Sequence, residues 1–289
     1  MSQPVRIGNE FLSVEVSPLG AEMQALTSSD GRDWLWNGDA DFWTGRSPIL
    51  FPIVGKAPDD RIAIDGKIFT MAQHGFARRT TFDLTVSTPT SCRFELAASD
   101  MTGAVYPFDF LLALEHAVEG RKVTVSAEVT NRGQVDMPYG IGFHPAFVWP
   151  LPGAKGRAHQ VVLDNGAEPP LARLEGGLLP ERVLPSPFDA GRLTLAHSMF
   201  EEDAMIFPQG AGTGLAYGVE AGPQLHFSFE NLPNLALWQK PGAPFLCVEP
   251  WHGMAASVGA GVELAARPST TVLTGGATAR YAFTVKIPE

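Results

Sequence analysis

One pattern runs almost from end to end of this chain: apolar and polar side chains alternate with a period of two. Leu12, Val14 and Val16 alternate with Ser13 and Glu15; Val123, Val125, Ala127 and Val129 alternate with Thr124, Ser126 and Glu128. Leu225, Phe227 and Phe229 repeat the pattern, and Tyr281, Phe283, Val285 and Ile287 repeat it again at the end. Successive side chains of an extended strand point to opposite faces, so the alternation describes strands with one face in a core. No segment keeps a helical period for more than about two turns. The chain also holds 30 glycines and 24 prolines without a repeat, which supplies many turns and leaves little room for long helices. We expect an all-β protein, a large antiparallel sandwich, with residues 1–289 forming one domain. The segment from Pro150 to Pro187, richest in Pro and Gly, is expected to be a long excursion on it.

The formal net charge of −10, with no run of five like charges, argues against nucleic acid or an anionic membrane as partner. A small neutral substrate fits that field better. The start of the chain lacks a basic segment followed by an apolar one, and no apolar run approaches the length of a membrane span. A cytoplasmic protein is expected, monomeric or a weak homodimer. Cys92 and Cys247 lie in apolar surroundings and read as small buried hydrophobes, and neither they nor the seven histidines show metal-ligand spacing.

Chemistry concentrates in a few short stretches. Gly140-Ile141-Gly142-Phe143-His144-Pro145-Ala146-Phe147 places a histidine between aromatics, fixed by the proline behind it. Cys247-Val248-Glu249-Pro250-Trp251 places a glutamate on an apolar strand, costly there unless it is paired or functional. Arg46 precedes the apolar run Pro48-Ile49-Leu50-Phe51-Pro52. His74-Gly75-Phe76-Ala77-Arg78-Arg79 joins a histidine to a glycine turn and two cations. Asp203 ends an acidic turn that begins at Glu201, and Trp238 enters a turn before Lys240. His116, His159, His197 and His226 have no such surroundings and receive no role.

Taken in order, these motifs resemble the aldose 1-epimerase (galactose mutarotase) family, in particular a bacterial branch with the Pro48–Pro52 run and the motifs His74–Arg78, Gly142–Phe147 and Cys247–Trp251. Gly20-Ala21-Glu22 and Tyr106-Pro107-Phe108 also fit. The resemblance implies a β-supersandwich that binds a sugar in a cleft on one sheet and interconverts its α and β anomers with neither metal nor cofactor. It puts the general acid on His144 and the general base on Glu249. It puts sugar contacts on His74 and on Arg46 or Arg78, with Asp203 and Trp238 completing the expected set. The sequence departs from the galactose-specific pattern in having Ala146 after the His-Pro pair. Arg78 and Arg79 keep a hexose 6-phosphate open as substrate, and a non-catalytic sugar-binding sandwich is the alternative from another class.

Ring opening needs one group to take the C1 hydroxyl proton and another to protonate the ring oxygen. An imidazole beside a carboxylate would be raised in pKa and the carboxylate lowered, so the pair is expected to be poised as an ion pair. Trp36, Trp43, Phe143 or Trp238 could wall the sugar.

Overall fold

The computed structural model describes residues 3–210 and 212–289. The alternating segments form the strands expected of them. The largest sheet has nine antiparallel strands. In spatial order they are Arg192–Thr194, His159–Leu163, Gly214–Val219, Gln224–Glu230, Thr278–Lys286, Lys122–Asn131, Phe110–Glu119, Ser91–Ala97 and Asp83–Ser87. Its register sets the alternation in phase: Val123, Val125, Ala127 and Val129 lie opposite Val285, Phe283, Tyr281 and Ala279. The outer face carries polar ladders, such as the Thr124–Thr284 hydroxyl pair at 2.8 Å. The only α-helix among the described residues is Asp100–Gly103, closed by a Ser99/Thr102 capping box. The Pro150–Pro187 excursion is not wholly irregular, since His159–Leu163 returns from it into the large sheet. No helix among the described residues is long and apolar enough to cross a membrane.

A second sheet packs over the first. Its order is Met205–Phe207, Asn234–Trp238, Phe245–His252, Ile141–Phe143 and Ile49–Leu50, with Ala146–Val148 also pairing Phe245–His252. Phe143 and Phe147 point down between the sheets, where they meet Phe283 and Phe227 at ring-centroid distances of 5.1 and 5.0 Å. Edge-to-face pairs of this kind fill the interior without voids. Phe143 is therefore core, not a wall of the sugar site. The residues between these two phenylalanines are free to face the other way.

Candidate active site

The strand Phe245–His252 is central and buried on both sides, yet its alternation still sorts its side chains. Cys247, Glu249 and Trp251 share one face, two residues apart. Their neighbours in register on Asn234–Trp238 are Trp238, Ala236 and Asn234. On the other side Ala146 lies opposite Cys247, and Gly142 opposite Trp251. Between those pairs the ladder is interrupted at His144-Pro145, and only Val248 N donates there, to the Pro145 carbonyl at 3.2 Å. Residue 250 would present its N–H to that same interrupted side, so Pro250 withholds a donor for which no partner waits. The two prolines thus bracket a gap in which His144 and Glu249 face one another. His144 Nε2 and Glu249 Oε2 are 3.3 Å apart. Ala236 and Ala146 keep the flanks small enough for both side chains.

These two groups form the floor of a cleft of about 320 Å³, lined also by Trp43, His74, Arg78, Asp203, Trp238 and Trp251. That size lies at the lower end of the roughly 300–1,000 Å³ typical of small-molecule sites. Trp43 leans over the His144 ring, 4.9 Å between centroids and 31° between planes, and Trp238 meets it edge-on at 5.6 Å. Trp36 supports Trp43 from below by donating its indole N–H to the Trp43 carbonyl at 2.8 Å. The His74 ring stands perpendicular to His144 at 5.8 Å. His74 is held in a left-handed conformation (φ 67°) at the third position of the Ala72–Gly75 turn. Its Nδ1 accepts from Gly55 N at 3.1 Å, which leaves Nε2 to carry the proton on a neutral ring. Gly75 follows because a Cβ there would lie 2.2 Å from the Phe51 carbonyl oxygen.

Arg78, in the turn Ala77–Arg79, reaches the cleft, and Arg46 does not. The Arg46 guanidinium donates to the Gln24 carbonyl at 2.8 Å, and the amides of Arg46 and Ser47 both donate to Glu22 Oε1. Glu22 of the early Gly-Ala-Glu motif therefore braces the loop before Ile49–Leu50. Asp203 sits exposed on the rim with φ 67°, its carbonyl accepting from Arg173 at 2.7 Å. The sequence-derived set thus converges except for Arg46. Trp251 and Lys240 also line the cleft although no role was assigned to either from sequence. The strand register of Trp251 with Glu249 was the available signal.

Electrostatics overturns the expected ion pair. Burial drives the His144 imidazole down to about 3, with the Arg78 cation adding to the shift. Burial, followed by the Asp203 charge, pushes the Glu249 carboxyl well above the usual carboxylate range, while Arg78 and the Trp251 N–H pull it back. Desolvation outweighs mutual attraction, so in the open cleft both groups tend to neutrality and their shared proton rests on the carboxyl. Burial, then the neighbouring His144 and Arg78, also pushes His74 well below its ordinary value. His144, Cys247 and Glu249 could supply three metal ligands, their donor atoms lying within 4.8 Å of one another. Burial and the Glu249 charge raise the Cys247 thiol well above its ordinary value, however, and the protonated thiol is a poor ligand.

Three of the four histidines without an assigned role are structural, and His226 is exposed. His116 Nε2 lies 2.9 Å from the Ala21 carbonyl in the core, and His159 Nε2 accepts from Leu151 N at 3.0 Å. His197 stacks on Trp149 at 4.1 Å.

Comparison with known proteins bears on the family and the fold. The family model described as Aldose 1-epimerase matches residues 3–258. The chromosomal protein LacX of Lactococcus lactis subsp. lactis is 29% identical over 299 residues, covering 98% of this chain and 99% of that protein. A galactose mutarotase-like protein from Lactobacillus casei ATCC 334 superposes with a TM-score of 0.92 at 26% identity, covering 99% of this chain and all of that one (100%). A galactose mutarotase related enzyme from Lactobacillus acidophilus also gives 0.92, at 23% identity and 99% and 98% coverage.

Proposed function

The chain belongs to the aldose 1-epimerase family, and we propose that it interconverts the α and β anomers of a hexose, with His144 and Glu249 as the proton-transferring pair. The observation that carries this reading is a buried imidazole and carboxyl 3.3 Å apart on the floor of an aromatic-walled cleft. A module that only binds sugar gains nothing from desolvating two titratable groups; a proton shuttle needs them. The pair holds one proton between its two sites. As the sugar enters, its hydroxyls together with Arg78 favour the ionised carboxylate, and the proton passes toward the imidazole. Glu249 then takes the C1 hydroxyl proton while His144 protonates the ring oxygen, and the C1–O5 bond breaks. Rotation about C1–C2 in the free aldehyde presents the other carbonyl face. The C5 hydroxyl closes on it, returning its proton to His144 as Glu249 gives one back to the C1 oxygen. Each positioned group contributes roughly 10²–10⁴-fold. No cofactor is needed in this scheme, and no nucleic acid or membrane partner is proposed.

The position of Arg78 favours a neutral hexose over a 6-phosphate. It lines the same cleft as His144 and Glu249, within reach of a sugar whose anomeric centre meets that pair, and can donate there to a ring hydroxyl. A 6-phosphate would lie at the other end of the sugar, where clustered guanidinium groups would be needed. Saturation-transfer NMR across free and phosphorylated hexoses tests the proposal. We expect anomer exchange faster than in buffer for at least one free aldose. Binding without accelerated exchange of any sugar would make the chain a sugar-binding module, and exchange confined to phosphorylated sugars would reverse the substrate preference.

A further inference from the structure

We propose that Trp251 positions the catalytic base: its indole N–H donates to the ionised Glu249 carboxylate and holds it competent for proton abstraction. This rests on the reading of Glu249 as base. Trp251 follows Glu249 by two residues on one strand, so both project from the same face, and both line the cleft. Its indole nitrogen is buried and meets no acceptor at hydrogen-bond distance, although it lies near enough to the Glu249 carboxyl to favour the ionised form. Two other buried indole donors are satisfied, Trp34 by the Ser28 hydroxyl at 2.9 Å and Trp36 by the Trp43 carbonyl. Buried indole N–H groups ordinarily find a partner, so one left unpaired in a cleft floor marks a place where an acceptor arrives or develops.

The opposite strand supplies the room. Gly142 faces Trp251 in register, and a Cβ at Gly142 would lie 2.4 Å from Trp251 Cδ1, the ring atom bonded to the indole nitrogen. A side chain at 142 would displace the edge of the indole that carries the donor. The groups facing Glu249 are His144, Arg78, Asp203, Cys247 and Trp251. Asp203 and the buried thiol oppose a negative carboxylate or do nothing for it. Arg78 and Trp251 favour it, and the effect of Trp251 on the Glu249 carboxyl has the sign of a donated hydrogen bond. The indole N–H is the neutral donor of the two, so it steadies the anion without lowering the proton affinity of His144 as a cation does.

The test is Trp251→Phe, which keeps an aromatic ring against Gly142 and removes the donor. We expect kcat to fall about tenfold or more, the scale of one hydrogen bond to a charged group, with KM within about twofold. The acid limb of the kcat/KM pH profile should move to higher pH. Site-specific replacement of Trp251 by benzothienylalanine, which has indole shape with sulfur in place of N–H, should give the same result and controls for lost packing. A raised KM with kcat and acid limb unchanged would make Trp251 a sugar-contacting wall and overturn the proposal, as would a benzothienyl variant that behaves like wild type. Glu249→Gln run alongside separates the two levels. If it kills exchange while the tryptophan variants keep the limb in place, only the positioning role fails; if it keeps exchange, the base assignment itself fails.

Discussion

Lys122–Asn131 and Phe245–His252 are both central antiparallel strands, but they treat their polar residues oppositely. The first alternates buried and half-exposed, and its Glu128 is held on the outer face by Arg93 at 2.7 Å. The second is buried through all but its last residue and still carries a glutamate, 2% exposed. One carboxylate is solvated and paired; the other is stripped of water, with an imidazole as neighbour. A strand built only for stability resembles the first, because a buried ionisable group loses more hydration than a nearby partner returns. The second strand accepts that loss where chemistry needs a proton acceptor away from water.

The comparison is broken most directly by exchanging carboxyl for amide at each site. Glu249→Gln should lower the anomer-exchange rate by roughly 10²-fold or more while leaving the melting temperature the same or higher. Polarimetry and a melting curve on one preparation decide it, and retention of more than about a tenth of the rate would sink the assignment. His144→Asn should behave alike.

Phe283→Ala probes what the large sheet does for the site without touching it. This buried ring supports Phe143, the residue before His144, so its loss should destabilise the protein by about 3–5 kcal/mol. Denaturant unfolding should show that loss, and the folded fraction should keep a KM near wild type.

A buried histidine of the large sheet sharpens the contrast through pH. His116 belongs to the large sheet, and burial lowers it to about 4. A histidine depressed in the folded state binds fewer protons there than in the unfolded chain between the two pKa values. Stability conferred by its neutral form is therefore full above about 6.5 and is lost as pH falls toward 4, by roughly 3 kcal/mol for one such group. His116→Gln should flatten that loss in pH-dependent unfolding and leave the rate at neutral pH unchanged. A rate that fell with it would mean the two sheets are not separable in function.

The smallest effect is expected from Glu128→Gln, which removes one arm of a partly exposed network in which Arg93 also holds Glu95 at 2.9 Å. A change of no more than about 1 kcal/mol in unfolding free energy, and none in rate, is the expected result.

Much of the site was legible before any coordinates. His144, Glu249, His74 and Arg78 stood in short motifs whose prolines and glycines announced special backbone, and the fold brings all four to one cleft. Arg46 stood in an equally plausible stretch and went elsewhere. Its guanidinium and backbone are held by Gln24 and Glu22, partners more than twenty positions away that no local pattern reveals. Trp251 was inside a recognised motif, but nothing in one dimension distinguishes an indole with a partner from one without.

The sequence by itself determined the strands and which face of each is apolar, because side-chain alternation is a local property of extended chain. It also marked special backbone, a turn at Gly75 and, at Pro145 and Pro250, positions that donate no strand hydrogen bond. Only the tertiary structure decided the protonation of the pair. Sequence reasoning put a cation next to an anion, the outcome Coulomb attraction favours in a hydrated site. Packing Trp43 and Trp238 over His144, and enclosing Glu249 in a fully buried strand, removed the water that such charges require. Desolvation depends on everything that surrounds a group, so it emerges only when distant segments close over it.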